Sequence, residues 1–329
     1  MCARLTRKKS EKGEMKSLFI VISPFQIISA QNARDELCLS AINEIWILNR
    51  HESGTSGYSQ IKNVLDKKWS KVVWTTDSTQ RGVLRVLKRL LFIITSFAWR
   101  YDFVFLGEPR SSSQNAIGKA LGGEIWYLDD GTSSIRLIDQ VLSGQKVKLY
   151  TIFGTRELEK KSQGAVVENK KFFLDYNPPK PVNNEVIFIG QSLSETNILS
   201  RAQEIAQIQE VYSNEWRKIT YISHRNDHPE KLKIISRTGI QILGLNIPLE
   251  IYYKSHPVLP AKIIGWFSTA LFTLHKAYPQ IEIEFHEINL QRGIPVEAEI
   301  RLIYNYARKH GHRVIQTPTR STKFSNKNE

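Results

Sequence analysis

The stretch Glu124-Ile-Trp-Tyr-Leu-Asp-Asp-Gly-Thr-Ser-Ser134 decides how this chain is to be folded. Ile125 to Leu128 form a continuous apolar run, the pattern of a strand buried on both faces inside a parallel sheet. Two carboxylates, Asp129 and Asp130, follow at once, and Gly131 can supply a positive φ for a sharp turn. Parallel sheets keep their ligand-binding groups at the carboxyl ends of the strands, so the acidic pair is a candidate for chemistry. The same residues also read as a turn that caps the next helix, with Thr132 and Ser133 as further cap residues.

Runs of the same kind lie on either side. Lys16-Ser-Leu-Phe-Ile-Val-Ile22, Glu44-Ile-Trp-Ile-Leu48, Lys71-Val-Val-Trp-Thr75 and Tyr101-Asp-Phe-Val-Phe-Leu106 each read as strands, with helical patterns between them. Residues 16–176 are therefore expected to form one doubly wound α/β domain. The segment Asn177-Pro-Pro-Lys-Pro-Val-Asn-Asn184 holds three prolines, which forbid a helix and predict an extended linker. A second alternation follows over residues 185–316, with strands at Glu185-Val-Ile-Phe-Ile189, Lys218-Ile-Thr-Tyr-Ile222, Gln241-Ile-Leu243, Ala261-Lys-Ile-Ile-Gly-Trp266 and Gln280-Ile-Glu-Ile-Glu-Phe285. Helices are expected at residues 195–212, at Pro248 to Lys254 and from Thr269. Residues 1–15 read as a disordered leader and residues 317–329 as a disordered tail.

Of the 329 residues, 41% are hydrophobic and 24% charged, which describes a globular chain long enough for two cores. Cys2 and Cys38 are too few for a disulfide framework and lack metal-ligand spacing, so a reducing, cytoplasmic setting is expected. Lys and Arg number 46 against 32 Asp and Glu, and the net charge of +14 calls for an anionic partner. Nucleic acid is disfavoured, because the basic residues form no helix-turn-helix, zinc-finger or RNP pattern. A basic, leucine-rich segment from Arg81 to Arg100 suits either a helix lying on the anionic inner face of a membrane or a core helix with a basic outer side. Its uncharged core, Leu90 to Trp99, is far shorter than the roughly 20 residues a spanning helix needs. The first fifteen residues contain no apolar signal-peptide region.

Two doubly wound domains facing each other leave a central cleft at the carboxyl ends of their strands, and polar residues at those ends are the site candidates. In the first half these are Ser23 and Gln26, then Glu108 and Arg110, then Asp129 and Asp130. In the second half Gly190 and Gln191 precede a helix, so their backbone N–H groups either bind phosphate or merely cap. Ser268 and Thr269 repeat that arrangement with two hydroxyls. His224, at a strand end and backed by Arg225, is placed to protonate a leaving group and neutralise its charge; His228, four residues on and followed by proline, competes for that role, and His256-Pro257 is a second His-Pro pair. Glu250 is a candidate for ribose hydroxyls.

These motifs, in this order, resemble the bacterial sialyltransferases and polysialyltransferases, including glycosyltransferase family 52 and its relatives. Asp129-Asp130-Gly131 matches the family's acidic pair with glycine, and Ser268-Thr269 matches its paired hydroxyls. The His-Pro motif departs from the pattern, because His224 is followed by Arg225. The resemblance implies a GT-B fold, a CMP-sialic acid donor, a cell-surface glycan acceptor of the lipooligosaccharide or capsule type, and inverting transfer with neither metal nor other cofactor. It gives Asp130 or Asp129 the role of general base and His224 that of the group meeting the departing CMP phosphate. Ser268, Thr269, Glu250, Gln191, Arg225 and Gly190 fall to the donor, Ser23 and Gln26 to the acceptor. A different nucleotide sugar is the alternative donor.

Overall fold

Near-continuous apolar strands need cover on both faces, and they obtain it in two separate open sheets. A computed structural model describes residues 14–37, 42–49, 56–76, 101–174, 180–290 and 293–316. Both cysteines, the Arg81–Arg100 segment, residues 1–13, Asn177 to Pro179 and the tail from residue 317 lie outside the described residues. Among the described residues no helix is long and apolar enough to cross a membrane.

The first sheet contains β1 (Lys16–Val21), β2 (Ile42–Asn49), β3 (Lys71–Thr76), β4 (Phe103–Leu106), β5 (Glu124–Tyr127), β6 (Leu149–Thr151) and β7 (Val166–Glu168), in the order β3-β2-β1-β4-β5-β6-β7. All of these strands run parallel. Alternate residues of β1 feed opposite layers: Phe19 and Val21 join Phe105 and Trp126 in one core, while Leu18 and Ile20 join Val104 and Leu106 in the other. Phe19 stacks on Phe105 with centroids 4.5 Å apart, an aromatic pairing worth about 1 kcal/mol beyond its buried area.

The connecting helices are α1 (Pro24–Glu36), α2 (Ser56–Val64), α3 (Ser112–Leu121), α4 (Ser133–Leu142), α5 (Arg156–Lys161) and the short α6 (Lys171–Leu174). Helix α1 begins where a serine can cap it: Ser23 Oγ accepts the Gln26 N–H at 3.2 Å, and Pro24 occupies the first turn, where its missing N–H costs nothing.

The second sheet contains β8 (Val186–Ile189), β9 (Ile219–Ile222), β10 (Gln241–Leu243), β11 (Lys262–Gly265), β12 (Glu282–Glu287) and β13 (Arg313–Gln316), again all parallel, ordered β10-β9-β8-β11-β12-β13. Its helices are α7 (Arg201–Asn214), α8 (Pro229–Arg237), α9 (Leu249–Ser255), α10 (Thr269–Ala277) and α11 (Glu297–Lys309). Both sheets therefore reverse direction between their first and fourth strands, β1/β4 and β8/β11, and this is where doubly wound sheets bind ligands.

The chain divides into one unit holding Met1–Pro179 with Leu245–His256, and another holding Lys180–Gly244 with Pro257–Glu329. That division corrects the sequence reading at one element. Helix α9, with Glu250 and His256, was assigned by sequence order to the second domain and packs instead in the first. The cause is local: Gln60 Nε2 of α2 donates to the Leu245 carbonyl at 3.0 Å, and Asn63 Nδ2 donates to that of Asn246. Glu250 is buried there together with Leu249 and Tyr253. In the described part of the expected linker, Val182 forms a single parallel bridge with Leu259.

Candidate functional site

In the first unit the chain leaves β5 with Leu128 still bonded to β4, its N–H reaching the Leu106 carbonyl at 2.9 Å. The next two residues part company. Asp129 turns inward and is fully buried, accepting the Thr151 hydroxyl at 2.5 Å and the Ile152 N–H at 2.6 Å. Burial pushes its carboxyl up to about 7, against hydrogen bonds from Thr151, Ile152 and Ser134 that act to lower it. Gly131 takes φ +65°, the left-handed turn expected of it. Asp130 points the other way and stays half-buried, with its own N–H donating to Ser134 Oγ at 3.3 Å. Thr132 stands at the N-cap of α4 without a side-chain cap bond, so the turn is more than a plain helix cap.

Asp130 is held by a residue to which the sequence reading gives a different task. Gln26 Nε2 donates to Asp130 Oδ1 at 2.7 Å, while Gln26 Oε1 accepts the Ile22 N–H at 2.8 Å. The side chain is fully buried with both ends of its amide engaged. Ser23, likewise assigned to the acceptor, uses its oxygen as the α1 cap. Gln26 reaches across the β1/β4 switch point only because residue 107 has no side chain: a Cβ there would stand 2.3 Å from Gln26 Oε1. No sequence pattern separates such a glutamine from an ordinary first-turn residue. Arg110, on the loop after β4, donates to Ser133 Oγ at 3.1 Å beside the acidic turn.

Replacing Gln26 by Glu keeps the acceptor for Ile22 and puts an oxygen 2.7 Å from the Asp130 carboxylate. Two carboxylates at that distance cannot both ionise readily. In a pH–rate profile of Gln26→Glu, the acidic limb is expected to move up by about one unit or more, and an unmoved limb would remove Asp130 from catalysis.

In the second unit Gln191 plays the bridging part at the β8/β11 switch point, its Oε1 accepting the Phe267 N–H at 3.0 Å. Gly190 is the close-packed residue, since a Cβ would meet Tyr221 Oη at 2.4 Å and the Ile222 carbonyl at 2.8 Å. Ser268 caps α10, accepting the Ala270 N–H at 3.3 Å, and Thr269 is the first helical residue. Cap and anion donor are compatible, because a hydroxyl that accepts one bond still has its proton to give. No acidic residue occupies the first turn of α10 to offset the helix dipole.

His224 follows β9, and its Nδ1 accepts the Asn226 N–H at 3.2 Å. That bond places the proton of the neutral ring on Nε2. Burial, with Arg225 and Lys231 adding to it, lowers the imidazole to about 4, so at neutral pH it is an uncharged Nε2–H donor. His228 is exposed and serves as the N-cap of α8, its Nδ1 taking the Glu230 N–H at 3.2 Å. His256 belongs to the first unit, where its ring lies 4.9 Å from that of Tyr252. Arg225 is exposed next to His224.

A cavity of about 300 Å³ also opens in this unit, lined by Lys262, Glu284, His286 and Arg313 among others, but no switch-point residue faces it. Among the described residues no cluster of three or more His, Cys, Asp or Glu has the arrangement of a metal site.

A family model of alpha-2,8-polysialyltransferases matches residues 142–285, just under half of the chain. The matched region contains Gln191, His224, Ser268 and Thr269 and leaves out the acidic pair. An α/β-galactoside α-2,3-sialyltransferase from the luminous marine bacterium Photobacterium phosphoreum is similar in fold. Its TM-score is 0.51 at 14% identity, over 93% of this chain and 99% of that one. The chain has a GT-B fold. A second similar structure is a 2,6-sialyltransferase of Photobacterium sp. JT-ISH-224 in a ternary complex with the donor product CMP and the acceptor substrate lactose. It has a TM-score of 0.50 at 10% identity, over 92% of this chain and 78% of its own. No curated protein matches the chain in sequence.

Proposed function

We propose that the protein is an inverting sialyltransferase that moves sialic acid from CMP-sialic acid to a hydroxyl of a cell-surface glycan, of lipooligosaccharide or capsule type, without a metal. The observation that carries this reading is the Asp130 carboxylate fixed at a switch point by Gln26, at 2.7 Å. Asp130 accepts the proton of the acceptor hydroxyl, and the oxygen attacks the anomeric carbon from the face opposite the leaving group. The bond to the CMP phosphate breaks, and the electron pair leaves with CMP. Full burial, with one oxygen taken by the Thr151 hydroxyl and the other by the Ile152 N–H, suits Asp129 to holding the turn, not to meeting an acceptor hydroxyl.

Charge on the departing phosphate is met in the second unit by His224 Nε2–H, the Ser268 and Thr269 hydroxyls, the Gly190–Gln191 backbone and Arg225, with no metal called for. The family match over the region holding these residues supports the donor class. The basic Arg81–Arg100 segment supports a cytoplasmic location at the inner face of the membrane, where surface glycan precursors are built.

A thermal-shift comparison of CMP, CDP, UDP and GDP tests the donor. CMP at about 100 times its Kd is expected to raise the melting temperature by about 5 °C. Stabilisation by UDP or GDP with none by cytidine nucleotides overturns the reading.

A further inference from the structure

Helix α8 turns Lys231 and Ile235 toward the interior, one turn apart, and the lysine is fully buried. A buried ammonium is tolerated only when its charge and its donors are met. Lys231 Nζ lies 2.7 Å from Asp227 Oδ1, 2.8 Å from Glu204 Oε1, 3.0 Å from Glu195 Oε2 and 3.3 Å from the Gln191 carbonyl. These partners come from the loop after β8, from α7 and from the turn after β9. Each passes the connection on. Asp227 Oδ2 accepts the His224 N–H at 2.8 Å and the Tyr221 hydroxyl at 3.1 Å, and that hydroxyl is the group crowding Gly190. Glu195 Oε1 accepts the His228 N–H at 2.9 Å, and Glu204 Oε2 accepts that of Ser194 at 2.9 Å.

We infer that Lys231 is the positioning residue of the phosphate side of the site: its ammonium clamps the Gly190–Gln191 loop and the His224 turn to one another. The clamp acts through hydrogen-bonded carboxylates and touches no substrate atom. Burial alone would lower the proton affinity of the lysine, but its bonds to Asp227 and Glu204 outweigh that and raise it, so the clamp stays charged throughout the neutral range. This inference rests on the proposed donor role of the second unit and gives it a fixed geometry.

The test uses the full chain with ¹⁵N-labelled histidine, the His224 signal being assigned by its loss in His224→Gln. Wild-type His224 is expected in the Nε2–H tautomer. In Lys231→Met the turn is released, and both tautomers are expected. Transfer is then expected to fall at least about tenfold in kcat with a smaller change in donor KM. Glu195→Gln, altered at a side chain that is 18% exposed, keeps the fold if Lys231→Met does not, and is expected to shift the tautomer in the same direction. A rise in the His224 titration midpoint with the tautomer unchanged would mark a purely electrostatic effect and overturn the clamp, as would an unchanged spectrum in either folded variant. The tautomer is read without substrate, so a failure of CMP to bind overturns the donor reading and leaves the clamp to be judged on the imidazole.

Discussion

Asp130→Asn is expected to reduce transfer by about a thousandfold or more, with the melting temperature within a degree or two of wild type. The rate expectation follows from the role: a positioned general base contributes typically 10²–10⁴-fold, and an amide cannot take the proton. The stability expectation follows from the surroundings. Asp130 is half-buried, and its backbone bond to Ser134 is untouched by the change. An asparagine can keep its oxygen toward Gln26 Nε2 and so preserve the contact seen at 2.7 Å. The check is a kinetic assay with CMP-sialic acid beside a thermal melt of the same preparation. Near-wild-type turnover would show that the acceptor hydroxyl loses its proton elsewhere. A large fall in melting temperature would instead make the contact with Gln26 structural.

Asp129→Asn, one residue away, is expected to leave a different signature, in stability rather than in chemistry. Burial holds the folded carboxyl near 7 against an ordinary 3.8, so the folded state keeps a proton that the unfolded chain gives up. A raised folded value means that the contribution is fully present below about pH 4 and is lost as pH climbs through about 7. Its size is as much as about 4 kcal/mol. His224 and His312, both lowered to about 4 by burial, act in the opposite sense over the same window, so the wild-type curve alone is not diagnostic. The difference between wild type and variant is.

Asparagine is uncharged like the protonated acid: its oxygen can keep the Ile152 N–H, and its amide can donate to Thr151 Oγ in place of the hydroxyl bond that the carboxylate accepts there. Urea unfolding at pH 4.5, 6 and 8 is therefore expected to show the smallest advantage for the variant at the lowest pH and a growing one above it. Parallel curves would mean that Asp129 is ionised in the fold.

How far the sequence could be read depended on whether a residue's task was set locally. The strands around Phe19, Phe105, Trp126, Phe188 and Trp266 were legible because burial on both faces forces continuous apolar runs, and the turn at Gly131 was legible because few other residues enter it. Asp129 and Asp130 were found as a pair but could not be told apart. Their difference lies in Thr151 and Gln26, each a long way off in the chain. Helix α9 was misplaced because sequence order was the only guide, whereas two amides of α2 decide where its leading segment sits. Lys231 was missed for a plain reason: a lysine at a core-facing helical position reads as a surface residue until its three carboxylates are seen together.

The close approach at Gly107 also bears on which positions around Asp130 can change. A methyl group there would fall 2.6 Å from Gln26 Cδ and 3.1 Å from the Ile20 carbonyl, so positions 26 and 107 form a lock that admits change only as a pair. Arg110, on the same connection, and Ser112 and Ser113, in the first turn of α3, are exposed and carry no such restriction. On the proposed role of Asp130, substitutions would accordingly gather on this outer stretch and spare positions 26 and 107, so the surroundings of the carboxylate can drift while its support is inherited.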